Sequence, residues 1–184
     1  MRRASTMPRL AVLVSAVAIV ALSVALAVFE PWRLFTSTTV VEPAPVGAAP
    51  SPSASAATVR ASSAPGPVVL ATGRFVSHEH RTTGTARLIR LGDGSAVVRL
   101  EDLDTSDGPA LHVWLTDQPV RAGSDGWHVF DDGRHLDLGD LKGNKGDQNY
   151  PVPAGTDLRG LTSVSIWCAR FHVSFGAAPL AATG

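Results

Sequence analysis

The chain has 184 residues, with 16 Lys and Arg against 16 Asp and Glu, so its formal net charge is zero. Without a basic patch, nucleic acid is not an expected partner. A single cysteine excludes an internal disulfide framework, so a folded domain must rest on its own core.

In chain order, residues Leu10 to Phe29 carry no charge and are mostly Ala, Val and Leu. About 20 residues at about 1.5 Å rise give about 30 Å, the thickness of a bilayer core. Arg2, Arg3 and Arg9 precede this run. The positive-inside rule then keeps the N-terminus cytoplasmic and exports everything after Phe29. Ala25-Leu26-Ala27 also offers a signal-peptidase site. The apolar run exceeds a signal core of about 7–15 residues, which favours an uncleaved anchor. Next comes a segment rich in Pro, Ala and Ser, with Pro43, Pro45, Pro50, Pro52, Pro65 and Pro67. Such a segment cannot bury enough apolar surface to offset chain entropy and reads as a disordered stalk. In extended form, at about 3.1 Å per residue, it would hold the next domain as far as about 100 Å from the membrane.

The remainder is the one stretch able to form a core. Arg74 to Ser77, Thr85 to Leu91, Ala96 to Leu100, Leu111 to Thr116, Trp127 to Phe130 and His135 to Leu138 read as strands. Turn signals such as Gly92-Asp93-Gly94-Ser95 separate them. No sustained helical period and no internal repeat appears. Many short strands at this spacing predict an all-β antiparallel sandwich or barrel. The expected division is a cytoplasmic N-terminus over 1–9, a transmembrane anchor or uncleaved signal over 10–29, a linker over 30–69 and a β-domain over 70–181.

Ser163 to Phe175 reads as one long strand, because neither Gly nor Pro interrupts it. Alternation then puts Val164, Ile166, Cys168, Arg170 and His172 on one face. Ser165, Trp167, Ala169, Phe171, Val173 and Phe175 make the other face, which looks like core. On this reading, Arg170 and His172 stand near the thiol and lower its pKa. Burial as a small hydrophobe is the competing role of a lone cysteine. His78 and His80 form a His-x-His pair that could share a strand face toward a metal, with a third ligand from His112 or His172. Two surface histidines near a strand end explain the pair equally well. No Cys-x-x-Cys-His haem motif, Gly-x-Ser-x-Gly motif or phosphate-binding loop is present, so no hydrolase, transferase or nucleotide-binding chemistry is indicated. Leu141-Lys142-Gly143-Asn144-Lys145-Gly146 is Gly-rich without that spacing, and its glycines suit tight backbone turns.

Three groups of residues carry a family resemblance. The first is Gly73-x-Phe75, His80-x-x-x-Gly84 and Gly108-Pro109-x-Leu111-x-Val113-x-Leu115. The second runs from Leu136-Asp137-Leu138-Gly139 through Leu141-Lys142-Gly143-Asn144-x-Gly146-x-Gln148-x-Tyr150 to Val152-Pro153. The third is Ser163-Val164-x-Ile166-Trp167-Cys168-x-x-Phe171-x-Val173-x-Phe175-Gly176. Together they resemble the DM-thirteen domain, an extracellular module of Skeletor-type proteins often found beside DOMON and cytochrome b-type modules. The resemblance implies a β-sandwich or barrel and a role in electron transfer centred on Cys168. The resemblance carries over to Cys168 alone, and the strand reading adds Trp167, Arg170 and His172 as supporting candidates. The resemblance names no cofactor. The DOMON and cytochrome neighbours are absent from this sequence, so a redox or envelope protein outside the cytoplasm would have to exchange the electrons. The alternative is a non-enzymatic binding or adhesion module of the envelope with a structural cysteine.

Overall fold

A computed structural model describes residues 7–30, 36–46 and 66–183. Helix α1 (Met7–Phe29) contains neither Gly nor an acidic residue. Its Ala11–Phe29 portion has a mean hydropathy of 2.8, and none of it is buried against the protein. By length and composition this helix is able to cross a membrane. Ser23 donates to the Ile19 carbonyl at 2.8 Å, which satisfies its hydroxyl within the helix. The helix closes at Glu30, whose N–H donates to the Leu26 carbonyl at 3.0 Å.

The rest of the described chain is β apart from one 3-10 turn at Ser124–Gly126. The strands are β1 (Thr39–Val41), β2 (Val68–Arg74), β3 (Val76–Ser77), β4 (Thr83–Arg90), β5 (Ala96–Asp104) and β6 (Leu111–Thr116). They continue as β7 (His135–Asp140), β8 (Lys145–Val152), β9 (Ser163–Cys168), β10 (Val173–Pro179) and β11 (Ala181–Ala182). One sheet has the order β1-β8-β5-β4-β2-β11 and the other β3-β10-β9-β6-β7. Every pairing is antiparallel except that of β1 with β8.

Alternation builds the space between the sheets. Ala86 and Leu88 of β4 and Val98 and Leu100 of β5 share one core with Val113, Leu115, Val164 and Ile166 of β6 and β9. The registers Val113↔Ile166 and Leu115↔Val164 set those side chains abreast. Each large aliphatic buried in this way contributes about 1.5–3 kcal/mol. A second cluster lies on the outer face of the β9 sheet, where Trp114, Phe130, Trp167 and Ala177 pack together. The β6–β7 connection covers that face and delivers Phe130. Both faces of β9 are therefore buried.

Four expectations change. Ser163 to Phe175 is not one strand. It is the hairpin β9–β10, turning through Ala169 to His172, with Cys168 opposite Val173. The turn lacks Gly, Pro, Asn and Asp, and His172 supplies the left-handed residue at φ 51. The inter-sheet core is on the Cys168 face rather than the Trp167 face. Trp127 to Phe130 is not a strand but part of the covering loop. The linker is not a continuous stalk over 30–69. Thr39-Val40-Val41, a β-branched run, adds a strand to the β8 edge, and Val68 and Val69 belong to β2. Residues 31–35 and 47–65 of that linker lie outside the described residues.

The seat for β1 is the Gly-rich loop before β8. Thr38 N–H donates to Asn144 Oδ1 at 2.7 Å, and Lys145 N–H donates to the Thr38 carbonyl at 3.2 Å. A Cβ on Gly143 would stand 2.5 Å from the Thr38 oxygen. One on Gly146, where φ is +94°, would stand 2.1 Å from the Val40 oxygen. Beneath the loop, Gln148 spans the Gly143 N–H and carbonyl, and the Tyr150 hydroxyl donates to Gln148 Oε1 at 2.7 Å. Gln148 is fully buried and Tyr150 almost so, and both are satisfied. A closed polar network of this kind stiffens the loop.

Candidate functional site

Cys168 ends β9 at one pole of the sandwich. Two loops cover it. One is the hairpin Ala169–His172. The other runs from Asp107 to Ala110 into β6, whose Leu111 lies opposite Cys168. The thiol is fully buried (0 % exposed) and donates to the Pro109 carbonyl at 3.2 Å. Ala169 N–H donates to the Ala110 carbonyl at 2.9 Å and joins the two loops. Ala110 and His172 both adopt positive φ, at 53° and 51°. A non-glycine residue rarely does so, and the surroundings must hold it there.

Two forces act on the sulfur. Burial pushes the Cys168 pKa up, because a thiolate loses more solvation than a thiol. The backbone N–H groups of Phe171 and Arg170 pull it down from the turn, and the Arg170 charge adds a smaller pull. Burial wins, so the thiol is neutral at physiological pH. This overturns the expectation of a thiolate favoured by Arg170 and His172. The turn sends those side chains elsewhere. Arg170 Nη1 donates to the Val28 carbonyl at the end of α1. The His172 ring is 73 % exposed and lies 3.3 Å from Asp131.

Trp167, on the opposite face of β9, stands in a column of rings. His135 stacks on Trp114 at 4.0 Å between centroids, and Trp114 stacks on Trp167 at 4.8 Å. His172 meets Trp167 edge-on at 6.5 Å. Offset and edge-to-face pairs of this type add about 0.5–1.5 kcal/mol beyond area burial.

His78 and His80 fall on a bend after β3 rather than on a strand, so they share no strand face. His78 is buried, and both its ring nitrogens are engaged. Nε2 lies 3.0 Å from the Arg121 carbonyl, which only accepts, so Nε2 carries the proton. Nδ1 then accepts from Ser174 Oγ at 2.8 Å, and Ser165 Oγ donates to Ser174 Oγ at 3.0 Å. Burial lowers the His78 pKa and holds this tautomer neutral. The His80 ring stacks on Phe175 at 3.9 Å, and its pKa is also lowered by burial, against a smaller opposing pull from Glu79. Among the described residues, no three His, Cys, Asp or Glu side chains gather to hold a metal ion.

Beside the thiol pole lies an open polar hollow of about 400 Å³, lined among others by Thr38, Asp107, His112, Asp140, Lys142 and Asn144. His112 bridges Asp137 at 2.9 Å and Asp140 at 3.6 Å there. Sequence reading missed Pro109 and Ala110 as the cover of the thiol and Ser165 and Ser174 as the partners of His78. None carries a linear signal, because their roles arise from cross-strand neighbours.

No curated protein matches this chain, and neither does any solved structure. A family model described as electron transfer DM13 matches residues 74–180, from the end of β2 to the end of β10, with Cys168 inside the match. That match covers more than half of the 184 residues, and the chain belongs to the DM13 family of electron-transfer domains.

Proposed function

We propose that this protein is a membrane-anchored, extracytoplasmic redox module in which Cys168 is a covered thiol that exchanges electrons with a partner once its hairpin opens. The observation that carries the reading is the Cys168 cover: a buried sulfur under two short loops, bonded to the Pro109 carbonyl of one and pulled down in pKa by the backbone N–H groups of the other, inside a DM13 domain. Hydrogen bonds to sulfur tune the potential of a thiol, and a cover decides which reagent reaches it. The apolar α1 supports the anchor, and Arg2, Arg3 and Arg9 support a cytoplasmic N-terminus with the β-domain outside. The bilayer is then the partner of residues 10–29.

A lone cysteine exchanges electrons with a disulfide as follows. The Cys168 thiol loses its proton to solvent when the turn lifts, and the thiolate attacks one sulfur of the disulfide. A new S–S bond to Cys168 forms, the old S–S bond breaks, and the second sulfur leaves as a thiolate with the bonding pair. Cys168 is oxidised and one partner sulfur is reduced. The test treats the full-length protein with oxidised glutathione and weighs the product. The expected result is one glutathionyl adduct on Cys168, removed by a dithiol reductant with the β fold intact, and no adduct on Cys168→Ser. A protein that stays unmodified while folded has a structural cysteine, and the adhesion or binding role then stands in place of the redox role.

A further inference from the structure

We propose that the Cys168 pole rests on the bilayer surface where α1 emerges, with Phe171 at the tip of the β9–β10 hairpin touching the lipid headgroup layer. This rests on the reading of α1 as a membrane anchor.

The chain is already bound to the domain at Thr36. Thr36 Oγ1 donates to Asp107 at 2.6 Å, Thr38 is held by Asn144, and β1 pairs with β8 from Lys145 to Asp147. Beyond β1, the Glu42 carboxylate accepts from Lys142 Nζ at 2.7 Å and from Asn149 N–H at 2.6 Å. Seven peptide units separate Phe29 from Thr36, a reach of at most about 25 Å when fully extended. The domain is therefore held at the membrane and not on a long stalk.

The direction of β1 says which end faces the lipid. β1 runs parallel to β8, entering beside Asn144 and leaving toward Asn149. Entry is at the Cys168 pole, because Asp107 and Asn144 line the hollow that also contains Leu111, the cross-strand partner of Cys168. The hairpin tip shows the same side. The Phe171 ring is 44 % exposed and stacks on Phe29 at 6.0 Å, and Arg170 bonds the Val28 carbonyl. Among the described residues, Phe29 and Phe171 are the exposed Phe, Tyr or Trp rings. Such a ring with an adjacent Arg suits the boundary between hydrocarbon and headgroups. Asp107 and Asp140 line the hollow at this pole together with Lys142, so the contact is not built on a cationic cluster, and neutral lipid is the occupant proposed.

The experiment places full-length protein carrying Cys168→Ala in phosphatidylcholine vesicles. A bimane label is attached at Phe171→Cys or, at the opposite pole, at Ala154→Cys beside the β4–β5 turn. A headgroup nitroxide lipid should quench the label at 171 several-fold more than the label at 154. Arg170→Cys provides a second labelling site should Phe171→Cys fail to fold. Glu42→Pro removes the carboxylate and an N–H that donates to the Asp147 carbonyl at 2.9 Å, and it should abolish the contrast between the poles while the helix stays inserted. Equal weak quenching at both poles, in protein that floats with the vesicles, would overturn the proposal alone. Shielding of position 171 from both lipid and aqueous quenchers would also overturn it, by pointing to a protein occupant. Protein that fails to float would remove the anchor reading and this proposal together.

Discussion

At the scale of single residues, burial sets the pH behaviour of this domain. His78 has a depressed pKa when folded and an ordinary value, about 6.5, when unfolded. Below that value the unfolded chain binds the extra proton more readily, so stability present near pH 7 is lost as pH falls through the window beneath 6.5. His80 shifts the same way. Thermal unfolding from pH 7.5 to 5 should show the decline, and His78→Gln should flatten much of it. A wild-type curve flat over that range would contradict the buried neutral tautomer. Cys168 acts at the other end. Its folded pKa lies above the unfolded value, about 8.5, so its contribution is intact below 8.5 and falls as pH rises past it. Tyr150, pushed up to about 12 by burial, extends the alkaline loss above about pH 10. Cys168→Ala should reduce the loss between 8.5 and 10, measured by chemical denaturation at each pH. Burial of Cys168 was legible only as the general tendency of a lone cysteine to pack as a small hydrophobe. The Pro109 carbonyl and the Ser174 hydroxyl were not, since only the cross-strand register brings them to Cys168 and His78.

Among the elements, the Gly-rich loop and the hairpin decide most. Gly146→Val puts a branched side chain at φ +94° and against the Val40 oxygen. It should cost at least about 2 kcal/mol through strain and overpacking. Lys145→Ala removes a half-exposed ion pair with Asp104 and should cost at most about 1 kcal/mol. Equal urea midpoints for the two variants would mean that the loop does not clasp β1. Strands β4 to β7 were readable because their apolar residues alternate between recognisable turns. Strand β8 was not. Its buried side chains include Gln148, which is polar and satisfied by its own loop, so no apolar alternation marks it. The β9–β10 turn escaped notice for a related reason. Ala169-Arg170-Phe171-His172 contains no turn former, and the alternation runs straight through it.

For the whole molecule, the short link between α1 and the sandwich matters more than the length of the Pro-rich segment. A fragment beginning at Val68 keeps both core clusters and should fold as a β protein. It loses β1 and the carbonyls of Glu42 and Pro43, to which the buried Arg99 donates at 3.2 Å. A loss of about 1–2 kcal/mol would lower its Tm by about 5–10 °C relative to a fragment beginning at Thr36. Identical melting of the two fragments would show that β1 contributes nothing. On the proposed anchor reading, a redox partner that meets the Cys168 pole beside α1 lies at or in the membrane. The covered thiol then reacts only where that partner, or thermal opening, lifts the hairpin.

The covered-thiol claim is tested most directly by the rate at which a thiol reagent labels Cys168 in the folded protein at rising denaturant. Local opening of the Ala169–His172 turn predicts slow labelling in water, well above the rate of global unfolding and nearly independent of denaturant until the unfolding transition. Immediate labelling at neutral pH would contradict the burial of the thiol. Labelling that follows global unfolding at every denaturant concentration would contradict the opening, and with it the redox role of Cys168.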